Sequence, residues 1–340
     1  MKHLVRRLTA SAVVAVAGVI VASGAWSAEF VAKIGHLESD QQSRHVHLQK
    51  VAERVLERTD GAVEFQLFPQ GQLGQQREMT EGVQLGTLEA TVAPAAFLGG
   101  FNPAVSVLDI PFLLPEDDEK AQQIRGGAFG QALCETFSTR GVECITLWPN
   151  GKKHFTSTQP LASKDDFAGQ KFRVMDSSIL IEQFNALGAS AIALPFGELY
   201  TALQTGVVDG QENPLDTIQR MKYYEVQDYL VLSGHGAMED VVLFNPTFWN
   251  SLPQEYQTVI TDAFNEVIPD LIAHKAAAVE QALEEIRNAG MEIRELSDQE
   301  QAAFREVMYP AARKAFLERA GEEGAALIEI YEREYASVTQ

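Results

Sequence analysis

The switching of side-chain period along this chain constrains its fold more than any other feature. Phe30, Ala32 and Ile34 alternate with Val31 and Lys33 until Gly35 breaks the run, which is the period-two pattern of a strand. Leu48, Val51, Ala52, Val55 and Leu56 then share one helical face, and Gly61 closes that segment after Asp60. Val63, Phe65 and Leu67 alternate with Glu64 and Gln66 in a second strand. A strand, helix, strand unit of this size opens an α/β layer, because two parallel strands need a crossover between them.

The alternation continues. The pattern predicts a helix near 75–85, a strand over 89–93, an apolar stretch over 105–114, a helix around 119–137 and a strand over 142–148. After Pro149-Asn150-Gly151 a second cycle begins, with strand 171–174, helix 177–187, strand 189–194, helix 197–205 and strand 207–210. Two lobes of similar make-up imply a clamshell. From Gln254 to Asn288 only Pro269 interrupts a helical pattern, a length of about 50 Å at 1.5 Å per residue. Such a helix is long enough to brace both lobes, with a bend at the proline. A strand over 291–294 and helices over 298–319 and 322–335 complete the chain, which shows no internal repeat.

Residues 1–28 carry Lys2, Arg6 and Arg7, then an apolar run from Leu8 to Ala22, then small residues, the layout of a cleaved secretory signal. The run is interrupted by Thr9, Ser11 and Gly18, so it is short for a membrane span. The net charge is −20 and becomes more negative by three when the leader is removed. Such a surface repels nucleic acid and anionic lipid, so an acidic ligand needs a few placed cations at short range. Cys134 and Cys144 are the two cysteines; in an oxidising compartment they form either a bridge or two separate buried thiols, and spacing does not decide between these.

A search for catalytic machinery finds no nucleophile elbow and no phosphate-cradling loop. His45 and His47 point to different faces of a helix, and the other histidines of the exported part are isolated, so neither a metal site nor a cofactor is expected.

The informative stretch runs from Trp148 to Pro214 and contains W-P-N-G-K-K-H-F-T-S, then G-Q-K-F-R-V, then L-Q-T-G-V-V-D-G-Q-E-N-P. Together with F-P-Q-G-Q-L-G at 68–74 and L-D-I-P-F-L at 108–113, these motifs resemble the dicarboxylate-binding (DctP) type of solute-binding subunit of tripartite ATP-independent periplasmic (TRAP) transporters. The resemblance covers nearly all of the exported chain. It implies an α/β, two-lobe periplasmic binding protein fold, with 29–150 plus about 240–268 in one lobe and 151–239 plus about 269–340 in the other. It further implies capture of a small organic carboxylate and delivery to membrane permease subunits, by a monomer.

Within that resemblance, Arg173 stands where the family's arginine grips the ligand carboxylate, a role suited to a planar fork of donors. Asn213 matches an asparagine that donates its amide to the same group, and Phe196 an aromatic that packs on the ligand body. Lys153 replaces a second family arginine; it keeps the charge and loses the fork, so it suits a single hydrogen bond to a distal oxygen. Met175, Asp176 and Ser177 lie close after Arg173, where the family often has a proline and polar residues that touch the ligand. From the first lobe, His36 and Glu38 lie in the loop after the first strand, and Phe97 follows the third strand, at the carboxyl ends where open α/β sheets place ligands. A sensory subunit of a signalling receptor and a secreted enzyme on the same scaffold are the rival readings.

Overall fold

The computed structural model describes residues 28–339. The leader expected over 1–28 therefore lies outside the described residues, apart from Ala28. In chain order the strands are β1 (Phe30–Gly35), β2 (Val63–Phe68), β3 (Ala90–Pro94), β4 (Glu143–Ser157), β5 (Lys171–Val174), β6 (Ser190–Ala193), β7 (Gly210–Pro214), β8 (Tyr229–Phe244) and β9 (Glu292–Glu295). The helices are α1 (Ser43–Arg58), α2 (Gln76–Leu85), α3 (Asp118–Gly126), α4 (Ala128–Ser138), α5 (Ser178–Ala186), α6 (Leu199–Gln204), α7 (Leu215–Arg220), α8 (Pro246–Ser251), α9 (Gln254–Glu266), α10 (Ile268–Asn288) and α11 (Asp298–Thr339).

The strands form one sheet in the order β2-β1-β3-β8-β4-β7-β5-β6, with β9 added to β8. β1, β2 and β3 run parallel at one end, and β5, β6 and β7 run parallel at the other. The two long strands β4 and β8 pair antiparallel through the middle and so belong to both halves. Their pairing slips between Pro149 and Lys152 and again between Lys153 and Phe155, where the chain passes from one half to the other. Gly151 sits there at φ 101, a conformation that a side chain would resist.

Side-chain alternation divides the core into layers. On β8, Val241 and Leu243 join one cluster with α2, α4 and α11, while Val242 and Phe244 join another with α1, α9 and α10. In the other half Val231 packs with Phe155, Phe172, Phe184 and Phe304, and its neighbour Leu230 with Leu203, Ile218 and Tyr223. Burial on both faces explains the near-continuous apolar runs of these strands.

The long helical pattern becomes α9 and α10, separated at Val267, with Pro269 in the first turn of α10 where its missing N–H costs nothing. This pair does brace the molecule: Ile268 and Leu271 pack in the first half, Ala282 and Ile286 in the second. The tail behaves in the same way. Phe304 and Met308 of α11 join the second half, whereas Ala312, Phe316, Leu327, Ile328 and Tyr331 pack against the first. Gly321 breaks the helix between the two tail segments with φ 59.

Three expectations needed correction. The helix expected over 119–137 is two helices parted at Gly127, where Glu334 accepts from Ala128 N and Phe129 N and so caps α4. The strand expected over 207–210 lies instead at β7, after the turn. The sixteen-residue β8 was not anticipated, because Gly234, Gly236 and the buried acids Glu239 and Asp240 interrupt its apolar pattern. Cys134 of α4 and Cys144 of β4 form a disulfide, with Cα atoms 5.0 Å apart.

Candidate functional site

Between the halves lies a small chamber, walled by Leu37, Glu38, Arg44, Pro94, Phe97, Met175, Phe196, Asn213, Thr217 and Met238. Its walls come from the carboxyl ends of β1, β3, β5 and β7, from the segment after β6, from the first turns of α1 and α7, and from the middle of β8. This is where an open α/β sheet leaves backbone and side chains converging on a crevice. A second, roomier recess of about 290 Å³ shares Leu37, Phe97 and Phe196 with it and adds Gln75, Arg77 and Asp176.

Arg173 stands beside the chamber. Phe172 and Val174 on either side of it face the aromatic core, so alternation turns Arg173 to the opposite face of β5. The residue is 1% exposed, and its Cζ lies 6.0 Å from the ring centroid of Phe97. Its Nε and Nη2 donate to the Leu194 carbonyl at 3.0 and 2.8 Å. No carboxylate among the described residues pairs with it. Burial lowers its pKa to about 10, with Tyr223 and Glu212 resisting, so it stays charged at neutral pH. Asn213, on β7 next to β5, lines the chamber and donates one amide hydrogen to Gln211.

The other cations of this region are already neutralised. Lys153 Nζ is 2.7 Å from Glu212 Oε1 and is not a wall residue. Glu212 Oε2 also accepts from Gln183 at 2.6 Å and contacts His235 Nε2 at 2.7 Å. Burial works against the Glu212 charge, but Lys153 and His235 hold its pKa down to about 2. Lys275 pairs with Asp216 at 2.6 Å.

Arg44 lines the chamber and was missed by the sequence reading. Its Nε and Nη2 donate to the two carboxylate oxygens of Asp240 at 2.7 and 2.6 Å, and Nη2 is 3.3 Å from Glu38. Burial and the neighbouring Glu38 push Asp240 up despite Arg44, while Arg44, Lys275 and Asn150 outweigh burial at Glu38 and hold it below the usual carboxylate range. The sequence does contain the signal: 44, 48, 51 and 55 follow helical spacing, so Arg44 sits on the buried face of α1, where an arginine must have a partner.

Of the residues singled out, Glu38, Phe97, Phe196 and Asn213 are brought together as walls, with Arg173 beside them. Asp176 is exposed and belongs to the second recess. His36 and Ser177 are not among the chamber's wall residues. Burial first, then Arg44, lowers the His36 pKa to about 3, and its Nε2 is 3.0 Å from His45 Nδ1. Ser177 caps α5 and donates to Asp109 at 2.6 Å. Thr217 and Met238 were also not foreseen, since they reach the chamber only through the pairing of β8 and the turn of α7. Among the described residues, no group of three or more His, Cys, Asp or Glu is arranged to hold a metal ion, and no helix is long and apolar enough to cross a membrane.

A buried cation without a counter-ion is costly unless a ligand supplies one. A recess between two α/β halves is where solute-binding proteins of the clamshell class hold theirs. Residues 34–319 match the bacterial extracellular solute-binding proteins of family 7 (DctP), and the chain belongs to that family. A TRAP periplasmic solute-binding protein of Desulfovibrio salexigens, solved with bound orotic acid, is 62% identical, with 91% of this chain and 99% of that one covered at a TM-score of 0.90. The C4-dicarboxylate-binding periplasmic protein DctP of Rhodobacter capsulatus is 33% identical over 303 residues, 88% of this chain and 90% of its own. The ectoine/5-hydroxyectoine-binding periplasmic protein UehA of Ruegeria pomeroyi is 30% identical over 319 residues, 93% of each chain. The chain is thus a periplasmic substrate-binding component of a TRAP-type transport system.

Proposed function

We propose that this protein captures a small organic carboxylate between its halves, with the carboxylate on Arg173 and Asn213 and the ligand body between Phe97 and Phe196, and releases it unchanged to the permease. The observation that carries the reading is the guanidinium of Arg173, buried, charged and without an acidic partner among the described residues. Two of its nitrogens hold the Leu194 carbonyl, which fixes the plane of the fork and leaves Nη1 without a hydrogen bond among the described residues. Charge-assisted bonds to a carboxylate contribute about 1.5–3 kcal/mol each once water is excluded.

Phe97 and Phe196 present rings to the same small chamber, a wall suited to a flat ligand. Orotate, held by the 62% identical relative, is a flat heteroaromatic acid and is the first candidate. Lys153 acts at a distance: its ammonium fixes Glu212 and the strand that carries Asn213, and does not touch the ligand. The protein works as a monomer, closing on its ligand because contacts from both halves are complete only in the closed form.

A thermal-shift screen over small acids tests this directly. A ligand at a hundred times its dissociation constant adds about 2.7 kcal/mol of stability, an easily measured shift. The screen should return a carboxylate, recovered chemically unchanged. A best ligand with no acidic group, or one converted to product on incubation, contradicts the reading.

A further inference from the structure

We propose that the cluster of Glu38, Arg44, Asp240 and Asn150 restricts this chamber to ligands with one carboxylate and a hydrogen-bond donor at the far end, and rejects a second carboxylate. The inference rests on Arg173 holding the first carboxylate.

The cations of the region leave one anion position to fill. Arg44 spends its fork on Asp240 and its remaining proximity on Glu38. Lys153 is held by Glu212 and Lys275 by Asp216. Arg173 is therefore the cation left for a ligand among those around the chamber in the described residues. At the Glu38 wall two acids, Glu38 and Asp240, share one arginine, Arg44, and the nearby Lys275 is bound to Asp216, so this wall carries an excess of negative charge.

Hydrogen-bonding capacity at that end has the same sense. Glu38 Oε1 accepts from Asn150 Nδ2 at 2.9 Å, and Asn150 Nδ2 also reaches both oxygens of Asp240, at 3.2 and 3.1 Å. Glu38 Oε2 and Asn150 Oδ1 are buried and have no partner. Both are acceptors, and Glu38 is a wall residue, 4% exposed. A buried acceptor left empty is costly, and a ligand N–H or O–H removes that cost. A second carboxylate does the opposite: it sets acceptor against acceptor and like charge against like charge in a site with little water. A juxtaposition of that kind weakens binding by on the order of a hundred-fold. A flat acid with ring N–H groups satisfies both ends, while an equally flat acid without donors satisfies one.

Isothermal titration of the exported chain with four probes tests this: orotate, ring-N-methylated orotate, benzoate and succinate. Orotate should bind at least about a hundred-fold more tightly than succinate, and loss of ring N–H groups should weaken it by about ten-fold or more. Glu38→Gln should narrow the orotate-to-succinate ratio by about ten-fold or more, since it removes the charge and supplies a donor. Succinate binding as tightly as orotate to the unaltered protein overturns the proposal without need of any variant. So does an unchanged ratio in Glu38→Gln that folds normally. Arg173→Ala separates the two levels. If it abolishes binding of every probe while the orotate-to-succinate ratio of the unaltered protein is flat, only the selectivity proposal fails; if binding survives it, or if no carboxylate binds the unaltered protein, the underlying site assignment fails as well.

Discussion

Arg173 and Lys153 are both buried cations in the same half of the sheet, and what separates them is the group that neutralises each. Lys153 lies on β4 opposite Pro214, which puts its ammonium within reach of Glu212 two residues earlier on β7. Arg173 is on β5, where the group that accepts its hydrogen bonds is a backbone carbonyl, that of Leu194. The motif at 171–174 made Arg173 legible from sequence, because a short strand flanked by apolar residues fixes which face an arginine must take. The same reasoning did not expose the partner of Lys153, since cross-strand register is not written in either strand alone. Glu38 was legible as a loop acid but not as part of a cluster, because Arg44 and Asp240 are 196 positions apart. Asp109 gives a pH prediction at this scale. Burial raises its pKa from an ordinary 3.8 to about 7, with Glu212 adding to the rise while Lys153 and the Ser177 hydroxyl oppose it. The folded chain therefore holds a proton that the unfolded chain releases between about pH 4 and 7, and stability from this group falls as pH rises through that window. Asp109→Asn should flatten the fall in urea midpoint between pH 4.5 and 7.5; an unaltered slope contradicts the assignment.

The elements fall into two groups by how they were read. Short strands with one clear neighbour, such as 171–174 and the parallel β1 and β2, follow directly from alternation. β8 does not, because it threads both halves and must carry polar residues where it passes the chamber: Met238 lines it, and Glu239 and Asp240 hold Arg125 and Arg44. The helix break at Val267 and the tail break at Gly321 follow from Pro269 and from a glycine, both visible in the sequence. The disulfide was undecided from spacing, since a helix end and the next strand come within bonding distance only if α4 packs back on β4. It closes a loop of 10 positions in the first half, away from the chamber. Replacing both Cys134 and Cys144 by Ser should lower unfolding free energy by about 2–3 kcal/mol in urea titrations, with ligand affinity unchanged. A large affinity loss would mean that the bridge shapes the site.

On the scale of the whole molecule, two long strands, the α9–α10 pair and α11 connect the halves, while the chamber lies between them. The backbone between the halves is least regular at the register slips near 149–155 in β4 and at Gly234 and Gly236 in β8, so a closing motion should be absorbed there. Saturating ligand should slow amide exchange at 150–153 and 234–239 and reduce the radius of gyration in solution scattering; equal scattering with and without ligand contradicts closure. The net charge of −20 makes the long-range field unfavourable to an anion, so association should quicken with added salt.

The proposed carboxylate grip rests on one buried, unneutralised guanidinium, that of Arg173. Titration calorimetry of Arg173→Ala with the best acid from the screen tests it most directly. Loss of two charge-assisted hydrogen bonds should raise the dissociation constant by at least about a hundred-fold, with circular dichroism and thermal midpoint close to those of the unaltered protein. A dissociation constant within about threefold of the original would show that the carboxylate is held elsewhere.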